Sequence, residues 1–234
     1  MKLQPLLLAT FLAATTTSPQ LHAQLFASSP ILNQTIPDGD LVGLSHNLTI
    51  SAPLEFLVTD ITVGLHLTGE SVGDLYGQLF HDGHLAVLLN RVGRTSGNLF
   101  GYDDTELDID LNDSASNGDV HNYRLKLSGD PNTPLTGPLT GTWAPDGRNT
   151  NPTAVLDTSS RTATLSSLSS FSANGVWTLF LADVDPGSEN RLVDWGLQIT
   201  VIPEPPTAAA ISALLCLRLA LVARDRRARP TQLN

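Results

Sequence analysis

Val176-Trp177-Thr178-Leu179-Phe180-Leu181-Ala182, a turn containing Gly187, and then Leu192-Val193-Asp194-Trp195-Gly196-Leu197-Gln198-Ile199-Thr200-Val201 decide the fold. In each run the large apolar residues fall on one parity: Trp177, Leu179 and Leu181 in the first, Trp195, Leu197, Ile199 and Val201 in the second. Successive side chains of a β-strand point to opposite faces, so this alternation predicts two strands with one buried face each.

Working towards the N-terminus, the same pattern recurs. In residues 55–67 the apolar set is Phe56 and Val58, then Ile61, Val63, Leu65 and Leu67. The phase slips once between Val58 and Ile61, which predicts a bulge or bend there. Residues 74–80 and 85–90 flank His81-Asp82-Gly83-His84, and Asp-Gly between apolar runs is a strong hairpin signal. Residues 48–51, 106–111 and 123–127 are also predicted strands. Residues 158–173 are rich in Ser, Thr and Leu and fit either a surface loop or a short helix. Short alternating runs between Gly, Pro, Asn and Asp clusters, without long helical periodicity, predict an all-β sandwich or barrel.

The two ends of the chain have a different character. Residues 1–23 read as a signal peptide: Lys2, then the apolar core Leu6-Leu7-Leu8-Ala9 and Phe11-Leu12-Ala13-Ala14, then a small residue at Ala23. The apolar core is too short to span a bilayer. Residues 24–33 are expected to be a short linker and residues 34–202 the folded domain, ample for a core without staples. Residues 203–234 form a separate tail with an expected apolar helix.

Between Gln24 and Ile202, seven basic residues stand against 21 acidic ones, a net of −14 for the body; the tail carries five against two, +3. A body this acidic repels phosphate backbones, which argues against nucleic acid as a partner. The single cysteine, Cys216, lies in the tail. Disulfides, zinc-thiolate sites and a cysteine nucleophile are therefore excluded from the body.

In order along the chain, several segments resemble the P domain (P/Homo B) that accompanies subtilisin-like catalytic domains in proprotein convertases and secreted bacterial proteases. They are Ile36-Pro37-Asp38-Gly39-Asp40, Ile61-Thr62-Val63-Gly64-Leu65-His66-Leu67-Thr68 with Gly73-Asp74-Leu75, and Gly101-Tyr102-Asp103-Asp104-Thr105-Glu106. Leu139-Thr140-Gly141-Thr142-Trp143-Ala144-Pro145-Asp146-Gly147, Asn174-Gly175-Val176-Trp177-Thr178-Leu179 and Leu192-Val193-Asp194-Trp195-Gly196-Leu197 complete the set. The resemblance implies a jelly-roll β-sandwich, similar to galactose-binding domains. His81-Asp82 departs from the family's usual hairpin, and residues 149–173 look longer than usual.

The tail resembles a PEP-CTERM sorting signal: Pro203-Glu204-Pro205, an apolar stretch over residues 207–223, and Arg224, Arg226 and Arg227 near the end. This implies recognition by an exosortase-like membrane protease, transient anchoring, and release to the cell surface or medium. A simple tail anchor is the other reading. Arg218 interrupts the apolar stretch and weakens insertion, and the terminal arginines favour the cytoplasmic side.

Candidate chemistry follows from the acids. Ca²⁺ takes six to eight oxygen ligands, and Asp103, Asp104 and Glu106, with Asp60 as a further ligand, are a candidate set; the P-domain resemblance points to the same region. Asp183, Asp185 and Glu189 form a second, weaker loop. Against calcium, alternating acids such as Asp108 and Asp110 mark a solvent-facing strand edge. His81 and His84 with Asp82 have the residue types of a metal site, but the hairpin reading is favoured. Trp177 and Trp195 share parity with apolar neighbours and are expected in the core, whereas Trp143, beside Pro145-Asp146-Gly147, is the candidate exposed aromatic for sugar stacking. No Gly-x-Ser-x-Gly elbow is present. The expectation is an exported, non-catalytic structural or binding module. The alternatives are an accessory domain for a separately encoded subtilisin-like serine protease and a module for extracellular polysaccharide.

Overall fold

The alternating runs pair into two antiparallel-rich sheets packed face to face. The computed structural model describes residues 22–203; the expected signal peptide up to residue 21 and the tail from Glu204, including Glu204, Pro205, Arg224, Arg226 and Arg227, lie outside the described residues. The strands are β1 (Ala23–Ser28), β2 (Gln34–Ile36), β3 (Asp40–Ile50), β4 (Phe56–Thr68), β5 (Leu75–His81), β6 (His84–Asn90), β7 (Glu106–Leu111), β8 (Leu139–Trp143), β9 (Gly175–Asp183) and β10 (Asn190–Pro203). The larger sheet runs β1-β10-β4-β7-β8, with β2 also paired to β10; the smaller runs β3-β9-β5-β6. This is the all-β sandwich expected from the alternation.

The two deciding runs lie in different sheets. Trp177, Leu179 and Leu181 of β9 and Trp195, Leu197, Ile199 and Val201 of β10 are all buried. They form one apolar core with Val63, Leu65 and Leu67 of β4 and Leu107, Ile109 and Leu111 of β7. Each fully buried residue of this size removes enough apolar surface to contribute ~2–3 kcal/mol.

The phase slip in β4 is a bulge. Asp60 pairs with Thr200 and Val58 with Val201, leaving Thr59 as the extra residue, and its hydroxyl donates to Thr200 O at 3.0 Å. The β5–β6 hairpin also forms as expected. Asp82 and Gly83 both take positive φ, 48° and 78°, as a two-residue turn matching the strand twist requires.

Two expectations are corrected and one open alternative is decided. Residues 24–33 are not a linker: β1 lies antiparallel along β10, from Ala23 opposite Val201 to Ser28 opposite Gly196. Residues 123–127 are not a strand but part of helix α1 (Tyr123–Ser128). There Tyr123 and Arg124, adjacent in sequence, are both buried while Leu125 and Leu127 are half exposed. A helix of six residues has no stability of its own; its inward pair is held by contacts to Asp104. Residues 158–173 contain a single tight helical turn, Leu165–Leu168. Asp113 accepts from the backbone N–H of Leu165 and Ser166 at its start, at 3.0 and 2.7 Å.

Candidate functional site

The first set of acids expected to share a cation is dispersed. Asp103 and Asp104 both turn to Arg124: Asp104 Oδ2 accepts from Arg124 Nε at 2.7 Å and from the Tyr123 hydroxyl, and Asp103 Oδ1 accepts from Arg124 Nη2 at 2.6 Å. Asp104 Oδ1 takes the backbone N–H of Leu135 at 2.7 Å, and the guanidinium sits 4.6 Å over the Tyr102 ring. The hydrogen bond from Arg124 holds the Asp103 carboxyl below its usual pKa, and burial pushes the Tyr123 phenol up. Glu106 faces His66. Asp60 accepts from Asn112 Nδ2, eight residues along β4 from Thr68, the partner of Glu106.

The second loop is likewise committed. Asp185 pairs with Arg91, Glu189 with Arg191, and Asp183 Oδ2 accepts from Asn190 Nδ2 at 2.8 Å. Among the described residues no group of three or more His, Cys, Asp or Glu side chains is placed to hold a metal ion. The residues read from the sequence therefore do not come together as one calcium site: each already faces an arginine, amide or imidazole nitrogen of its own.

Trp143 is also corrected. It is 1 % exposed, its Nε1–H donates to Thr140 O at 3.0 Å, and its ring meets Tyr123 edge to face. It is part of the core and presents no surface for a sugar. His81, read as part of the hairpin, closes β5 opposite His84. It is buried, stacked on Trp177 at 3.8 Å, and its two ring nitrogens face the carbonyls of Val176 and Ser172 at 3.0 and 2.7 Å. His84 stacks on Phe171.

A histidine–carboxylate pair that sequence inspection did not find lies alongside β6 of the smaller sheet. His121 Nδ1 is 2.7 Å from Asp146 Oδ2, and both side chains are fully buried. The other ring nitrogen points at Arg94 O, 3.0 Å away, not at a hydroxyl. Asp146 also faces Arg148, which reaches Asp119 at 2.8 Å. This is a buried ionic network tied by His121, Asp146, Arg148 and Asp119, and its geometry is that of a structural clamp.

The face left free is the outer side of the larger sheet. Ser28, Gly196, Gly64, Asp110 and Thr142 stand in register across β1, β10, β4, β7 and β8. Two glycines in the middle of this row leave the backbone bare. The result is a trough of two adjoining hollows, about 360 and 300 Å³, which share Ser28, Gly64, Asp110 and Gly196. Phe26, 68 % exposed, Thr62 and Gln198 flank one side; His66, Asp108 and Asp194 flank the other. His66 lies between two carboxylates, with Nε2 3.2 Å from Glu106 and Nδ1 3.5 Å from Asp194. The sequence carried one signal for this surface: a glycine at the outward parity of two otherwise regular strands marks a bulge or a close approach.

The fold and this face define a two-sheet β-sandwich with a polar, acid-lined outer trough. No protein-family model and no curated protein matches the chain. Among solved structures it is similar to the serine protease of Aeromonas sobria in its complex with a chaperone, at 17 % identity and a TM-score of 0.45 over 82 % of this chain and 29 % of that one. The serine protease of Aeromonas sobria alone matches at 16 % identity and a TM-score of 0.43, over 81 % and 28 %. The chain spans less than a third of the length of these proteins.

Proposed function

We propose that this chain is an exported, non-catalytic binding module whose working surface is the outer face of the larger sheet. One observation carries this reading. The buried arginines Arg91, Arg124 and Arg148 are each tied to internal carboxylates, whereas Asp108 and Asp110 project from β7 with no hydrogen bond or ion pair from any described residue. Buried polar groups serve the fold when paired; a trough of unpaired ones on an outer face serves a ligand. In this reading the tail is an address. An exosortase-like membrane protease acts near Pro203-Glu204-Pro205 and delivers the body to the surface or the extracellular matrix.

The test is retention of the full-length chain on the envelope and matrix fraction of the producing cells, with mass spectrometry of the mature termini. Retention that drops when the trough is filled by Gly64→Val, with an N-terminus near Ala23 and a C-terminus just beyond β10, supports the proposal. Retention indifferent to the trough overturns it.

A second reading, an accessory domain for a separately encoded subtilisin-like serine protease, is supported by the P-domain-like segments and by Leu99 and Phe100, which are 53 % and 72 % exposed on one loop. An adjacent exposed apolar pair of this size suits a protein contact. Co-purification of such a protease, lost on Leu99→Asp with Phe100→Asp, would favour it.

A further inference from the structure

We propose that the trough over Gly64 and Gly196 binds a glycan carrying free amino groups, a hexosamine polymer, laid across the strands. The inference deepens the reading of the outer face as a binding surface and rests on it. It names the ligand from three features.

The first is shape. The row from Ser28 to Thr142 crosses five strands, a path of ~19 Å at the usual strand spacing. Its centre is flat because Gly196 lies opposite Gly64. A chain of flat rings fits a floor without side chains, and the exposed Phe26 beside it offers a ring face.

The second is how the floor can be read. β10 and β4 are interior strands, hydrogen-bonded on both sides. They have no free ladder of N–H and C=O groups for an added peptide strand, which needs a sheet edge. Recognition here falls to side chains: Ser28, Thr62, Gln198 and the carboxylates, all of them short groups suited to hydroxyls and amines.

The third is charge. Asp108, Asp110 and Asp194 line the trough, Glu106 stands beside His66, and among the lining side chains His66 is the one that can become cationic. Arg191, farther along β10, is tied to Glu189. Uronic or sulfated polymers are repelled by such a surface, and ammonium groups are attracted to it. Asp108 and Asp110 project two residues apart on β7 as its unpaired pair.

Isothermal titration of the full-length chain with three probes tests this: a β-1,4 glucosamine hexamer, its fully N-acetylated counterpart, and a galacturonate hexamer. The glucosamine hexamer is expected to bind at least tenfold more tightly than the acetylated one and to weaken as salt rises. The galacturonate hexamer is expected to give no heat. Gly64→Val fills the trough, and the Cβ it adds meets only Asp110 Oδ1, at 3.4 Å. Binding should fall at least tenfold in that variant and in the Asp108→Asn/Asp110→Asn double variant, which guards against any folding defect in the first. Equal binding of the acetylated and free hexamers overturns the amino-sugar assignment while leaving the outer face as a binding surface. Undiminished binding in both variants overturns the placement itself. Absence of heat with all three probes overturns the ligand class.

Discussion

The indole Nε1–H of Trp195, in the larger sheet, donates to Nδ1 of His46, in the smaller sheet, at 2.9 Å. The two rings meet edge to face, with centroids 6.1 Å apart. Because Nδ1 accepts, the neutral imidazole must carry its proton on Nε2. This is a polar tie between the two sheets. Trp195→Phe keeps most of the apolar bulk but leaves His46 Nδ1 without its donor. A loss of about 1–3 kcal/mol in urea unfolding is expected, and a variant as stable as the wild type would refute the tie.

Asp104 and Arg124 are both buried to within 4 % exposure. Removing one partner strands the other, so Asp104→Ala is expected to cost about 3–5 kcal/mol. The double variant Asp104→Leu/Arg124→Met removes both charges and should recover part of that loss. A double variant less stable than the single one would show that the ion pair is not what matters at this position.

Asp183 is fully buried, and its Oδ1 has no hydrogen-bond partner among the described residues. Burial first, and then the neighbouring carboxylates of Asp74 and Asp38, push its pKa up to about 6, against the opposing hydrogen bond from Asn190 and the charge of Arg91. The folded state therefore holds a proton that the unfolded chain releases near pH 4. Between about pH 4 and 6 the folded state binds more protons, so stability falls as pH rises across that window. Asp74, also raised chiefly by burial, acts in the same sense. Asp183→Asn keeps an acceptor for Asn190 without the charge. It should flatten the decline and stabilise the protein at pH 7 by ~1–3 kcal/mol. Thermal melts at pH 4, 5, 6 and 7 decide the matter; a variant weaker than wild type at pH 7 would count against it.

Two glycines should respond oppositely to an added side chain. Gly93 has φ +80°, and a Cβ there would lie 2.2 Å from the Tyr102 ring, the ring that carries Arg124 on its face. Gly93→Ala combines left-handed strain with a clash and is expected to destabilise by about 2–4 kcal/mol. Gly64→Val meets only the Asp110 carboxylate, at 3.4 Å, in a strand that favours branched residues, so its melting point should hold or rise. Equal losses at both positions would contradict the placement of the trough on the outer face.

Much of the sandwich was legible along the chain. Period-two alternation in β4, β7, β9 and β10, the phase slip at Thr59 and the Asp-Gly turn are local signals, and each gave the element it predicts. β1 was missed because Ala23–Ser28 alternates only weakly and becomes a strand by pairing with β10. α1 was mistaken for a strand because Tyr123, Leu125 and Leu127 alternate, although only Tyr123 turns inward. Trp143 looked exposed beside Pro145-Asp146-Gly147, yet parallel pairing of β8 with β7 points it into the core.

Of the candidate site, the sequence supplied the acids but not their partners. Asp103, Asp104, Asp185 and Glu189 are each matched to an arginine, and for most of these the match spans many residues of intervening chain. Spacing along the chain carries no information about such long-range pairs.

By itself, then, the sequence determined which residues face inward on most strands, because side-chain direction in a strand depends only on parity. It also determined that the body is acidic and free of cysteine. The tertiary structure alone decided which carboxylates are neutralised and which stay bare, and that Gly64 and Gly196 come side by side to open a trough. Those outcomes depend on strand order and register, which are set by the packing of the whole core and not by any one segment.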